Sequence, residues 1–400
     1  MRLRTFESFW LIKNGLLHSY PFLDKALKTD ILVIGGGITG ALVSHALMEK
    51  GYQVALIEKR DIAQGSTSAT TSMLQYEIDV SLTDLAEQIG EKAAATCYQA
   101  GRRAIQAIAK LVKENKLDCG FESKESLYFA HSKEAAKKLK QEFEIREKHK
   151  LGVTWLSAKE IKTTYGIICF GGILSDTAAS LDAYKFAHEL IKLNVDRGMK
   201  VYDQTEITEF KLNQKKPEVL TSDGVKISCG KVIFCSGFET TRMLKENIAD
   251  LFDTYATVSE QRITLKPKFY KTLFWNTSEP YLYMRMTDDG RLLIGGEDSQ
   301  FRMPLFQQSI KEKKSTKLQE TLQEIMPSID FIEDFSWAGT FGSTKDGLPY
   351  IGKSPEYDNS LFVLGFGGNG ITFSIQAMDI ITALLEGENP ELAEYYRFGR

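Results

Sequence analysis

The hydrophobic pattern opens with a short unbroken apolar run, Ile31-Leu32-Val33-Ile34, of the kind that forms a strand buried on both faces of a parallel sheet. It leads directly into Gly35-Gly36-Gly37-Ile38-Thr39-Gly40. Ala41 to Lys50 then reads as a helix, with Ile38, Leu42 and Ala46 on one face and Gly51 as its C-terminal stop. A second apolar strand, Val54-Ala55-Leu56-Ile57, ends at Glu58, so a βαβ unit begins within about 30 residues. A loop rich in hydroxyls follows over 65–72. Charged helices are predicted over 83–116 and 133–149 with a strand at 126–130 between them. A helix over about 181–197 leads through Gly198 to a strand near 200–202. The Asp223-Gly224 turn then precedes an apolar strand at 231–235, closed by Gly237.

Residues 255–302 change character: period-two runs predict an antiparallel sheet of different origin. In 281–286 the odd positions, Tyr281, Tyr283 and Arg285, share one face. Asp289-Gly290 marks a hairpin, with 291–295 as the returning strand. A charged amphipathic helix is expected over 305–326. Glycine-rich loops and a helix from about Phe373 to Leu385 complete the chain. No internal repeat or low-complexity linker separates these regions, so the domains are expected to be interleaved.

Composition narrows the function classes. The 400 residues are 43% apolar, enough for a globular core and more than one compact unit usually holds. A net charge of −3 disfavours a phosphate-neutralising nucleic-acid surface. Five unpaired-looking cysteines fit thiols kept reduced in a cytoplasm, and no stretch is long and apolar enough to span a membrane. The expectation is a soluble cytoplasmic protein.

The glycine motif carries the first chemistry. Gly35 permits a tight turn, Gly37 lets backbone approach a pyrophosphate, and Gly40 allows close helix–strand packing, while the helix start presents free N–H groups. Glu58, 18 residues after Gly40, is placed to accept from an adenosine ribose and disfavours a 2′-phosphate. A dinucleotide is expected here. The partner glycine segment lies at the far end of the chain, Gly365-Phe366-Gly367-Gly368-Asn369-Gly370-Ile371, which suits the long FAD better than NAD.

Taken together, Gly35–Gly40 with Glu58, the Ser66–Met73 loop, the strand ending at Gly237, the 346–352 segment (DGLPYIG) and Gly365–Ile371 resemble the FAD-dependent D-amino acid oxidase superfamily, in its glycine oxidase and sarcosine oxidase-like branch. The resemblance covers most of 29–388. It implies an α/β fold: a glutathione-reductase-like FAD-binding domain with a parallel sheet and Rossmann βαβ unit, interleaved with an antiparallel-sheet substrate domain. The expected partition is 29–120, 165–245 and 336–390 for the FAD-binding domain, 121–164 and 246–335 for the substrate domain, and 1–28 as an N-terminal extension. For a non-covalent FAD, the resemblance implies Gly37, Ile38 and Thr39 at the pyrophosphate and Glu58 with Lys59 at the adenosine. It further implies Ser66, Thr67, Thr71, Ser72 and Met73 along the phosphates to the flavin, Ile207 at the adenine, and Phe366, Gly367, Gly368, Asn369, Gly370, Ile371 and Thr372 at the ribityl chain and pyrimidine edge.

The substrate end departs from the family pattern. Where relatives of this branch place a carboxylate-gripping arginine, two residues after Gly339, this chain has Phe341. Tyr281, Tyr283 and Arg285 are the substitute candidates: Arg285 either grips a carboxylate between two phenols or is an ordinary surface charge. No cysteine follows Cys235, which removes the branch's covalent route to FAD, and Leu292 and Leu293 stand near the position of its oxygen-assisting lysine. No histidine falls in a recognisable motif, and no metal, P-loop or nucleophile-elbow motif occurs. The expected activity is therefore flavin-centred: oxidation of a C–N bond in a small amine or amino acid, with oxygen or another acceptor completing the cycle. Two alternatives are a hydroxy-acid dehydrogenase, which would call for a base, and an RNA-modifying flavoprotein using the lysines of 211–216 and 311–317. Nucleic acid is not an expected partner.

Overall fold

The computed structural model describes residues 4, 5, 7–261, 263–301 and 307–400. Its six-stranded sheet runs in the order Tyr350–Gly352, Ser360–Leu364, Lys231–Phe234, Ile31–Ile34, Val54–Ile57, Lys200–Tyr202. Every pairing in it is parallel except that of Tyr350–Gly352 with Ser360–Leu364. The apolar runs are continuous because both faces are covered. Ile31, Val33, Val54, Leu56 and Ile233 join the core under the helices. Leu32, Ala55, Ile57, Val232 and Phe234 pack on the other side against a small sheet of Ile207–Lys211, Glu218–Thr221, Lys226–Ser228 and Leu27–Lys28. The helix Ile38–Glu49 lies between Ala183–Asp196 and Gly370–Glu386, so an early and a late segment share one layer.

A ten-stranded sheet forms the second part, in the order Arg4–Thr5, Glu333–Ser343, Asp250–Ser259, Leu292–Gln300, Leu282–Met286, Thr272–Asn276, Glu122–Phe129, Gly172–Ser180, Met73–Gln75, with Val153–Leu156 also paired to Gly172–Ser180. It is antiparallel apart from Thr272–Asn276 beside Glu122–Phe129. The hairpin of Leu282–Met286 and Leu292–Gln300 forms where Asp289-Gly290 predicts it.

Several expectations change. The helix expected over 83–116 breaks at Gly90 (φ +88°) into Leu82–Ile89 and Glu91–Asn115. The hydroxyl-rich loop contains a short helical turn, Ser66–Ala69. The strand Gly172–Ser180, which the sequence pattern missed, lies inside the large sheet. Its glycine, serine, threonine and alanine content carries little strand signal. The strands Met73–Gln75, Gly172–Ser180 and most of Glu333–Ser343 fall within the expected FAD-binding spans, yet they pair in the large sheet. The segment before residue 29 is not peripheral, because Phe9 and Trp10 are buried in the main core. The helix expected over 305–326 is Gln307–Ile325, and its first two expected positions lie outside the described residues. Among the described residues, no helix is long and apolar enough to cross a membrane.

Candidate cofactor and substrate site

The end of the first strand shows why glycine stands there. Gly35 adopts φ +113°, and a Cβ on it would sit 2.5 Å from the Cys235 carbonyl oxygen. A Cβ on Gly40 would fall 1.9 Å from the Gly35 oxygen, so the helix rests directly on the turn. Glu58 fixes the loop from the next strand: its two oxygens accept from the N–H groups of Gly36 (2.7 Å) and Arg60 (2.9 Å). Burial raises the Glu58 carboxyl above the usual range, and these two amides oppose that shift. The Ile38 N–H donates to the Thr67 hydroxyl at 3.0 Å, tying the helix start to the hydroxyl-rich loop.

That loop is held from below. Three successive carbonyls accept from three large side chains: Ala69 from the Trp337 indole (2.8 Å), Thr70 from the Trp10 indole (2.6 Å) and Thr71 from Arg285 Nε (2.8 Å). Ser72, next in line, is buried with φ +55°. The C-terminal glycine segment closes from the opposite side. Asn369 donates through Nδ2 to the carbonyls of Gln75 (3.2 Å) and Glu77 (2.8 Å), and the Gly368 N–H donates to Asp79 (2.8 Å).

These parts enclose one cavity of about 840 Å³, large for a single small molecule. Most of the sequence-predicted residues line it: Gly35, Gly37, Ile38, Thr39, Glu58, Lys59, Ser66, Thr67, Thr71, Met73, Ile207, Gly237, and Phe366 through Thr372. Tyr281, Tyr283 and Phe341 line it as well. Gly40 and Ser72 do not: the first supports the turn, and the second lies behind the loop wall. The chemistry of this lining fits an extended dinucleotide. Two helix starts, at Ile38 and Gly370, line a common space, and a half-buried carboxylate stands at the end of the second strand.

Arg285 requires a correction. It shares the strand face of Tyr283, as the alternation predicts, but the Thr70–Thr71 backbone covers that part of the face. Its guanidinium is buried beneath the loop, over the Trp10 ring at 5.3 Å, and it does not line the cavity. Burial lowers it to about 10. Arg285 braces the loop and does not face a ligand.

Other lining residues escaped the sequence reading. Arg60 and Glu239 are two of them: Glu239 binds Arg60 at 3.0 Å and the expected Lys59 at 2.8 Å. On the opposite wall stand Asp79, Thr254, Phe252, Trp275, Glu279 and Asp298. Asp298 owes its direction to a β-bulge. Tyr283 lies across Gly295 on the cavity face, where a Cβ would meet its hydroxyl at 2.4 Å. By simple alternation Glu297 would share that face. The register shifts between Asp253 and Tyr255, and Glu297 takes φ +56°, so Glu297 turns to Lys314 and Lys317 (both 3.0 Å) while Asp298 turns inward. Burial raises Asp298 to about 6. A break in alternation inside an apolar strand was the only available signal.

A family model described as FAD dependent oxidoreductase matches residues 30–384. The chain belongs to this family. Among curated relatives, a Bacillus subtilis (strain 168) protein named for a Rieske 2Fe-2S iron-sulfur centre, YhfW, is 25% identical over 96% of this chain and 74% of its own length. Glycine oxidase of Geobacillus kaustophilus (strain HTA426) is 24% identical over 90% of this chain and 93% of its own. The crystal structure of glycine oxidase from Geobacillus kaustophilus superposes with a TM-score of 0.78 at 20% identity, covering 94% of this chain and all of that one. As a member of the FAD-dependent oxidoreductases, the chain is a flavoenzyme with the D-amino acid oxidase fold.

Proposed function

We propose that this flavoenzyme oxidises the C–N bond of a small amine or amino acid to an imine that water hydrolyses; FAD, when bound, would supply the hydride acceptor at N5. The observation that carries this is continuity: the space between the two glycine segments opens directly onto the wall of Tyr281, Tyr283 and Phe341, so a substrate bound there shares one cavity with the cofactor. Gly37, Ile38 and Thr39, with Ser66 and Thr67, are the residues for the pyrophosphate. Glu58, Lys59 and Ile207 serve the adenosine, Thr71 and Met73 the run toward the flavin, and Phe366 to Thr372 the ribityl chain and pyrimidine edge. The amide groups at the start of the Gly370–Glu386 helix would stabilise negative charge on that edge.

The polypeptide's task is to hold, orient and screen the substrate. The stacked pair Phe252 and Phe341, 5.9 Å apart, gives an apolar plate. Tyr281 and Tyr283, 5.7 Å apart, form the adjoining wall, with the Tyr283 hydroxyl 3.4 Å from Thr254. None of the five histidines lines the cavity, consistent with hydride leaving the neutral amine without an imidazole base. Anaerobic mixing of the holoenzyme with amines, amino acids and hydroxy acids tests the proposal. Loss of the oxidised-flavin absorbance with amino compounds, and release of a carbonyl product, is the expected result. Bleaching by hydroxy acids alone would overturn it. Admitting oxygen afterwards then separates an oxidase from a dehydrogenase.

A further inference from the structure

The signs of charge around the cavity are unevenly distributed. Among its described lining residues the only cations are Lys59 and Arg60, and Glu239 binds both. The remaining wall carries Glu77, Asp79, Glu279 and Asp298. Phe341 stands where a cation is expected, and its ring is stacked on Phe252. Arg285 is committed to the Thr71 carbonyl and does not line the cavity.

Two carboxylates here have unused capacity. Asp298 Oδ1 is buried without a hydrogen bond of its own, while Thr254 and Tyr281 donate to the carboxylate group. Glu77, 4% exposed, leaves Oε2 unpartnered, while its other oxygen meets Ser175 at 2.7 Å and Arg146 at 3.5 Å. A buried unpaired carboxylate oxygen is costly and calls for a donor. The nearby walls are aromatic: Tyr281 with Tyr283, and Tyr128 stacked on Trp275 at 3.6 Å. Carboxylates among ring faces form a site for an organic cation.

We infer that the substrate is an organic amine without a carboxylate beside the reacting carbon, bound as its ammonium with the nitrogen donating to Asp298 within the wall of Tyr281, Tyr283, Phe252 and Phe341, and that this proton passes to Asp298 before hydride leaves the neutral amine. This rests on the proposed C–N oxidation and specifies its substrate class. A carboxylate next to the reacting carbon would meet Phe341 and Asp298, one unable to pair with it and the other repelling it. An ammonium instead supplies a donor for the open oxygen of Asp298. Its charge form sets the pH dependence: the carboxylate stands at about 6, and Asp79, Lys314, Thr254, Tyr281 and Tyr283 are the polar groups around it.

The test uses two probes of equal size and opposite charge, n-butylamine and butyrate, titrated into the FAD-loaded holoenzyme while flavin absorbance is followed. Butylamine should bind saturably at pH 7.5 and butyrate should not. Asp298→Asn should retain FAD and weaken butylamine at least tenfold, and Asp298→Glu should recover part of the loss. In the unaltered protein, butylamine affinity should fall about tenfold per unit below pH 6. Butyrate binding as tightly as butylamine, or an amine affinity indifferent both to Asp298→Asn and to pH between 5 and 7, would overturn the inference. Flavin bleaching is a separate readout. Amines that bind through Asp298 without bleaching refute C–N oxidation alone. Amino acids that bleach with no dependence on Asp298 refute the substrate class alone.

Discussion

The Thr39 hydroxyl lies 2.8 Å from the Ser374 hydroxyl, a contact between residues 335 positions apart. Ser374 donates to the Gly370 carbonyl at 2.6 Å, so the hydrogen between the two hydroxyls comes from Thr39. Both side chains are buried, and the bond fixes the helix of the first glycine loop to the helix of the last. Ser374→Ala removes the acceptor and leaves a buried hydroxyl unsatisfied, at a cost of about 1–3 kcal/mol. Thermal unfolding followed by flavin fluorescence should show a lower midpoint and earlier FAD release. An unchanged melting curve would mean that the two helices are held by packing alone.

Gly40→Ala should prevent a yellow protein from being isolated. The added methyl would overlap the Gly35 carbonyl oxygen, and neither backbone segment can yield while the sheet is intact. Gly387→Ala is the control: Gly387 has φ +85° but open space around it, so only backbone strain of about 1 kcal/mol is expected. FAD-to-protein ratio after purification distinguishes the two. Normal flavin content in Gly40→Ala would refute the tight-contact account.

Arg285 offers a third check, since its guanidinium carries the Thr71 carbonyl. Arg285→Ala should destabilise the holoenzyme by about 2–3 kcal/mol, the range for a buried hydrogen bond to a charged group. Weaker FAD retention should follow through the loop that lines the cofactor cavity. Enzyme kept saturated with FAD should show an unchanged substrate KM. A raised KM at full FAD occupancy would place Arg285 in contact with substrate instead.

Asp298 makes stability depend on pH with a definite sign. Its folded value, about 6, lies above the ordinary 3.8, so the folded ligand-free protein holds the proton more tightly than the unfolded chain. Stability is full below about pH 4 and is lost as pH rises to about 6, by no more than about 3 kcal/mol. Asp298→Asn should therefore stabilise the ligand-free protein above pH 6 and have little effect near pH 4. Urea unfolding at pH 4 and 7.5 provides the measurement. Equal effects at the two pH values would show that Asp298 is not desolvated.

The cofactor half of the site was legible in the residue order because it is local. A buried strand, a turn that only glycine can make, a helix start and an acidic strand end lie within Ile31–Glu58, and each has a short-range physical signature. The strand Gly172–Ser180 had no such signature, since its place between two other strands is settled by partners distant in sequence.

In the strand Leu282–Met286 and the residue before it, alternation alone determined which side chains share a face: Tyr281, Tyr283 and Arg285 do, and the hairpin forms at its Asp-Gly turn. Only the tertiary structure decided what covers that face. The loop pinned by Trp10 and Trp337 crosses it and seals Arg285 away, while the bulge at Glu297 exchanges two adjacent acids between the helix side and the cavity. Periodicity is a property of one strand, whereas coverage and register depend on segments that meet only after the chain has folded.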